Sequence, residues 1–155
     1  MDKYVYISYS RHDHGFVEQL SGDLRSHGIS IWVDMESIEP GENWEHAIVK
    51  GIQGASVFLL VLSKSSIQSN SVRSELEIAE EAGLIIIPLA VDEIELPAAL
   101  QYQLAGGQEI SFAGNYTKGK DLLLTSLESI LKIDTSIEQS VEKPEIRSKG
   151  YVFIS

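Results

Sequence analysis

Apolar residues fall along this chain in two spacings that alternate from one end to the other. Short apolar runs at residues 4–8, 29–33, 56–62, 84–91 and 108–112 read as strands, and between most of them lie segments with apolar residues three or four apart. In residues 13–27, Phe16, Leu20 and Leu24 recur at helical spacing and Gly28 follows as a stop, which predicts a helix. Residues 42–53 set Trp44, Ile48 and Ile52 along one side before Gly54, and residues 70–82 turn Val72, Leu76 and Ala79 inward before Gly83. A last helix is expected over residues 119–132. Val57, Phe58, Leu59, Leu60 and Val61 form an unbroken apolar run, and residues 84–91 read the same way, as strands of a parallel sheet covered on both faces do. The order predicts an α/β fold: a flavodoxin-like, doubly wound sheet of five parallel strands with helices on both faces.

Past the last helix the pattern stops. Residues 134–149 are rich in Ser, Glu and Lys, with a lone Pro144, and read as a polar linker. Residues 151–155 then restate residues 4–8, with Phe153 in place of Tyr6. Such self-similarity suggests an internal repeat. The expected organisation is one domain over residues 1–133, a linker over 134–149, and the start of a second domain of the same kind at 150–155.

Composition narrows the functions open to such a domain. With 43% hydrophobic and 23% charged residues among 155, it matches an ordinary globular protein. The net charge of −11, from 12 basic and 23 acidic residues, repels phosphate backbones and anionic lipid, so neither nucleic acid nor a membrane is an expected partner. There is no cysteine, which removes disulfides and thiolate chemistry. No signal-like N-terminal segment and no apolar run near the roughly 20 residues of a membrane span are visible, so a cytoplasmic location is expected.

Candidate chemistry gathers where strands end, and in an open parallel sheet ligands bind outside the carboxyl ends of the strands, where strand order reverses. Ser8 and Arg11 follow the first strand and either meet a ligand or form a terminating turn. Asp34 closes the second and either contacts ligand or caps the next loop. Trp44 sits at helical spacing, suited to packing or to stacking. Ser63 closes the third strand, while Lys64 and Arg73 either offset phosphates or are surface charges. Glu75 stands three residues after Val72 and one before Leu76, at the border of a buried helical face, and by spacing alone reads first as one more solvated glutamate beside Glu77, Glu80 and Glu81, or else as a partly desolvated carboxylate. His12 and His14 do not share a helix face, and no metal site is expected. Ser63 has no recognisable histidine and aspartate partners, which leaves nucleophilic hydrolysis unsupported. The turn after the first strand lacks the glycines of a dinucleotide-cofactor fold, so no dinucleotide cofactor is expected.

Ile7-Ser8-Tyr9-Ser10, then Trp32-Val33-Asp34 with Pro40-Gly41 and Trp44, then Val61-Leu62-Ser63, together resemble the TIR (Toll/interleukin receptor/resistance) domain, most closely its bacterial members. The resemblance covers residues 3–132 and implies the flavodoxin-like sheet, with a loop around Glu39, Pro40, Gly41 and Glu42 that mediates contacts between domains. It also implies NAD+ glycohydrolase activity, giving nicotinamide and ADP-ribose or a cyclised product, in bacterial immune or antiphage signalling activated by self-assembly. The alternative within the family is a non-enzymatic adaptor acting through homotypic TIR contacts. Ser71-Val72-Arg73-Ser74-Glu75 occupies the place of the short motif that ends on the family's catalytic glutamate, which makes Glu75 the match. Ser8, Arg11, Asp34, Trp44, Ser63 and Arg73 are the expected substrate-binding residues. Where many members carry an aromatic before the valine, this chain has Ser71.

Overall fold

The structure is a computed structural model that describes residues 3–33, 43–105 and 108–131. Five parallel strands, β1 (Val5–Ser8), β2 (Ile31–Val33), β3 (Val57–Leu62), β4 (Ile85–Ala90) and β5 (Ile110–Ser111), lie in the order β2-β1-β3-β4-β5. Strand order reverses between β1 and β3, where Ser8 pairs in register with Leu60. Helices α1 (His14–Ser26), α2 (Trp44–Gln53), α3 (Asn70–Glu81), α4 (Ala98–Gln103) and α5 (Tyr116–Leu131) connect and cover the sheet.

Side-chain alternation along the strands divides the core in two. Val5, Ile7, Val57, Leu59, Val61 and Leu89 face one way and pack with Val17, Leu20 and Leu24 of α1 and Leu123, Leu127 and Leu131 of α5. Tyr6, Phe58, Leu60 and Leu62 face the other way and pack with Ile48 and Ile52 of α2, Val72, Leu76 and Ala79 of α3, and Leu100 of α4. On this second face Trp32, Tyr6 and Phe58 stack across three neighbouring strands, with ring centroids 5.1 and 5.6 Å apart. Gly51 of α2 crosses directly above the indole of Trp32.

Three boundaries depart from the sequence pattern. Helix α4 was not anticipated: it is short, only Leu100 on it is buried, and Pro97 at its N-cap was the available signal. The last helix begins at Tyr116, because the Asn115 side chain accepts from Lys118 N–H and starts it three residues before Gly119. Residues 84–91 were read as covered on both faces, yet Ile85 is 48% exposed. The reason is β5, which is two residues long and pairs only with Leu89 and Ala90, so the first half of β4 has no strand beyond it among the described residues.

Candidate active site

The site is assembled from two interruptions in otherwise apolar patterns. Helix α3 starts at its N-cap Ser69, whose hydroxyl accepts from Val72 N–H at 3.2 Å. From that start, positions 72, 75, 76 and 79 form the inward stripe, and Glu75 takes a place that packing alone would give to an apolar residue. Glu75 is 7% exposed. On β1 the face shared with Tyr6 is continued by Ser8, which is 1% exposed. The two meet: Ser8 Oγ donates to Glu75 Oε1 at 2.7 Å. A carboxylate removed from water is costly unless it is hydrogen-bonded, and a hydroxyl donor favours its charged form.

Above Glu75 lies a groove of about 280 Å³ between α2 and α3, walled by Glu45, Ile48 and Val49 on one side and by Asn70, Ser71, Ser74 and Ile78 on the other. Its lining combines apolar side chains with a few polar groups, the usual make-up of a small-molecule site. At about 280 Å³ it stands near the lower end of the ~300–1,000 Å³ range of such sites. It suits a ring and a sugar better than a whole dinucleotide.

A second network fixes the neighbouring loops. Ser63 Oγ donates to Asp13 Oδ2 at 2.5 Å and accepts from Ser66 N–H at 3.0 Å, while Ser63 N–H donates to Ser66 Oγ at 2.9 Å. This ties the turn Arg11–Asp13 after β1 to the end of β3. Ser63 is thus engaged in holding loops together. Arg11 is exposed on that turn. Arg73 does not line the Glu75 groove; it borders a separate small cavity with Leu60, Ile67 and Leu100, and its Nε has no hydrogen-bond partner among the described residues. Asp34, Glu39, Pro40, Gly41 and Glu42 lie outside the described residues, as does the side chain of Trp44.

Sequence reasoning missed Asp13 and Glu45, which matter through partners distant in the chain, and Ser66, Asn70 and Ser74, local polar residues with no pattern to mark them. A cavity of about 460 Å³ at the ends of β3, β4 and β5 is lined by Asp92, Glu93, Glu95 and Glu109. Four carboxylates there oppose an anionic ligand more strongly than the two, Glu45 and Glu75, that line the smaller groove. Among the described residues no group of three or more His, Cys, Asp or Glu sits together as metal ligands, and no helix is long and apolar enough to cross a membrane.

A buried carboxylate hydrogen-bonded to Ser8 beside the switch point of a β2-β1-β3-β4-β5 sheet defines an α/β domain with a candidate ligand site at the sheet's carboxyl edge. The TIR domain family model matches residues 5–124, and the chain belongs to that family. The NAD(+) hydrolase TcpC of Escherichia coli is 26% identical over 129 residues, covering 83% of this chain and 40% of that protein. The uncharacterized protein y4cD of Sinorhizobium fredii is 26% identical over 147 residues, 90% of this chain and 22% of that one. The chain therefore spans less than half the length of these curated relatives. The TIR domain of the Toll-related receptor TRR-2 from Hydra magnipapillata superposes with a TM-score of 0.67 at 20% identity, covering 82% of this chain and 97% of that domain. That likeness establishes the shared fold.

Proposed function

We propose that this TIR domain cleaves NAD+ at the bond between nicotinamide and ribose, and that Glu75 is its catalytic carboxylate. The observation that carries this reading is the position of Glu75: buried in the inward stripe of α3, hydrogen-bonded to Ser8, and lining the α2–α3 groove. Similarity to TcpC, a protein named as an NAD(+) hydrolase, supports it. The chemistry asks little more of the protein. The C–N bond breaks with its electron pair passing to the pyridinium nitrogen, so nicotinamide leaves neutral and needs no general acid. Positive charge develops on the ribose as in glycoside hydrolysis, and a fixed carboxylate stabilises it. Water then adds to the sugar carbon and gives ADP-ribose, or a hydroxyl of the same molecule adds and gives a cyclised product.

The groove's size bears on assembly. A dinucleotide extends beyond it, and copies stacked head to tail through the loop containing Pro40 and Gly41 complete the binding surface in this reading, since heterologous contacts propagate instead of closing. The role in signalling follows from the same self-association.

The test is nicotinamide release by the purified domain and by Glu75→Gln, from nanomolar to tens of micromolar protein. Losing one preorganised electrostatic group is expected to lower turnover at least ~10²-fold with the fold retained. Equal turnover by the variant removes Glu75 from the chemistry. A parent that is inactive even when concentrated or clustered points to the adaptor, and a specific activity independent of concentration shows that the site is complete in one chain.

A further inference from the structure

We propose that Ser8 is a positioning residue for Glu75, holding the carboxylate by Oε1 in one orientation at the floor of the groove instead of touching substrate itself. This rests on the reading of Glu75 given above. A glutamate on a helix has three side-chain torsions to fix, and chemistry that depends on where a charge points loses rate when those torsions are free. Ser8 is suited to fix them. Its backbone is part of β1, bonded to β3 in register with Leu60, so its Cα cannot drift. Ser8 is 1% exposed and its hydroxyl donates to Oε1 at 2.7 Å, which leaves little surface for a ligand.

Stability alone does not account for the pair. The face of β1 that continues from Tyr6 and the stripe of α3 are apolar on either side of it. A buried polar pair contributes no more to folding than two apolar side chains of the same shape, whereas removing one partner strands the other. A hydroxyl and a carboxylate facing each other in this core make sense as a device that aims the carboxylate. Among the described residues, Glu45 of α2 is the other titratable side chain that lines the groove, and Tyr6 is a titratable side chain on the same face of β1 as Ser8; Ser8 and its register partner Leu60 do not ionise.

The experiment compares Ser8→Ala, Ser8→Thr and the double variant Ser8→Ala with Glu75→Gln, in NAD+ turnover and in a carboxyl-carbon NMR titration of Glu75, with melting temperatures alongside. Ser8→Ala is expected to lower kcat about 10–100-fold, as misaimed catalytic groups do, with KM little changed. Ser8→Thr, which keeps the hydroxyl, restores most of the rate. The double variant is no slower than Glu75→Gln alone, because residues acting as a unit are not additive. In the titration, loss of a donor to the charged form moves the Glu75 midpoint upward in Ser8→Ala. Should Ser8→Ala fail to fold, Ser8→Cys keeps the size, weakens the donor and is expected to shift both readouts the same way. An unmoved Glu75 midpoint together with unchanged kcat overturns the pinning role, as does a raised KM at constant kcat, which marks Ser8 as a substrate contact. An inactive parent whose Glu75 midpoint still moves in Ser8→Ala refutes the proposed activity, and with it the catalytic purpose of the pair, while leaving the hydrogen bond itself confirmed.

Discussion

Replacing Gly51 with alanine tests whether α2, one wall of the groove, is seated by its contact with Trp32. A Cβ at Gly51 would lie 2.7, 2.9 and 3.0 Å from Cε2, Cζ2 and Cδ2 of the indole, closer than carbon atoms pack. The indole cannot slide along the sheet, because Tyr6 stacks against it and Phe58 against Tyr6. Swinging it outward forfeits an aromatic pair worth about 0.5–1.5 kcal/mol, and overpacking a filled site costs typically ~1–3 kcal/mol. Against this stands the helix preference of alanine over glycine, about 1 kcal/mol. The net expectation is a loss of roughly 1–2 kcal/mol, which for a domain of this size lowers Tm by about 2–8 °C. Gly22 is the control: it lies mid-way along α1, and a Cβ there meets nothing within 4 Å. Gly22→Ala therefore keeps the helix gain and should raise Tm by about 2–4 °C. Thermal and urea melts of the two variants beside the parent decide the matter. A Gly51→Ala protein that gains as much as Gly22→Ala would show that the indole yields freely, and the view of α2 as a wall held at fixed distance from the sheet would be wrong.

Two further outcomes follow from the structure. Tyr116 donates its hydroxyl to Asp23 Oδ2 at 2.5 Å, and burial together with that carboxylate pushes its pKa well above the ordinary value of 10.0. Because the folded state keeps the phenol proton after the unfolded chain has lost it, this contribution is intact below pH 10.0 and declines as pH rises above it; urea melts across that range should show a shallower decline for Tyr116→Phe, and an identical one would refute the assignment. Deleting residues 149–155 is expected to leave Tm almost unchanged, since residues 5–111 supply all five strands of the described sheet, and a large drop in a melt would instead make that segment part of this domain's own sheet.

Much of the architecture could be read before any coordinates because period is a local property. Leu20 and Leu24, Ile48 and Ile52, and Val72, Leu76 and Ala79 all lie on the faces their spacing assigned, and the unbroken run over β3 is buried on both sides. What period misses is an element too short to show one. Helix α4 offers one buried residue and does not rise above the irregular sequence around it, whereas the apolar run over residues 108–112 did announce β5, which narrows to Ile110–Ser111. The exposure of Ile85 was illegible for a related reason: an apolar run says that a strand can be buried, whereas its actual cover depends on how far the next strand extends.

The site divides along the same line. Spacing placed Glu75 at the edge of an apolar stripe but did not separate it from the solvated Glu77, Glu80 and Glu81; the family resemblance did. Ser8 stood out separately as a strand-end candidate, but its pairing with Glu75 could not be read, since the two lie 67 residues apart and meet only once β1, β3 and α3 are in register. Ser63 shows why such signals need coordinates: it too is a serine closing a central strand, yet its bonds go to Asp13, 50 residues earlier, and to Ser66. Both serines end strands on either side of the switch point, but one faces a helix that presents a carboxylate above a groove and the other faces a loop that needs tethering. The difference lies in what each meets across the sheet edge, and that is a property of topology, which no residue carries in its own neighbourhood of the chain.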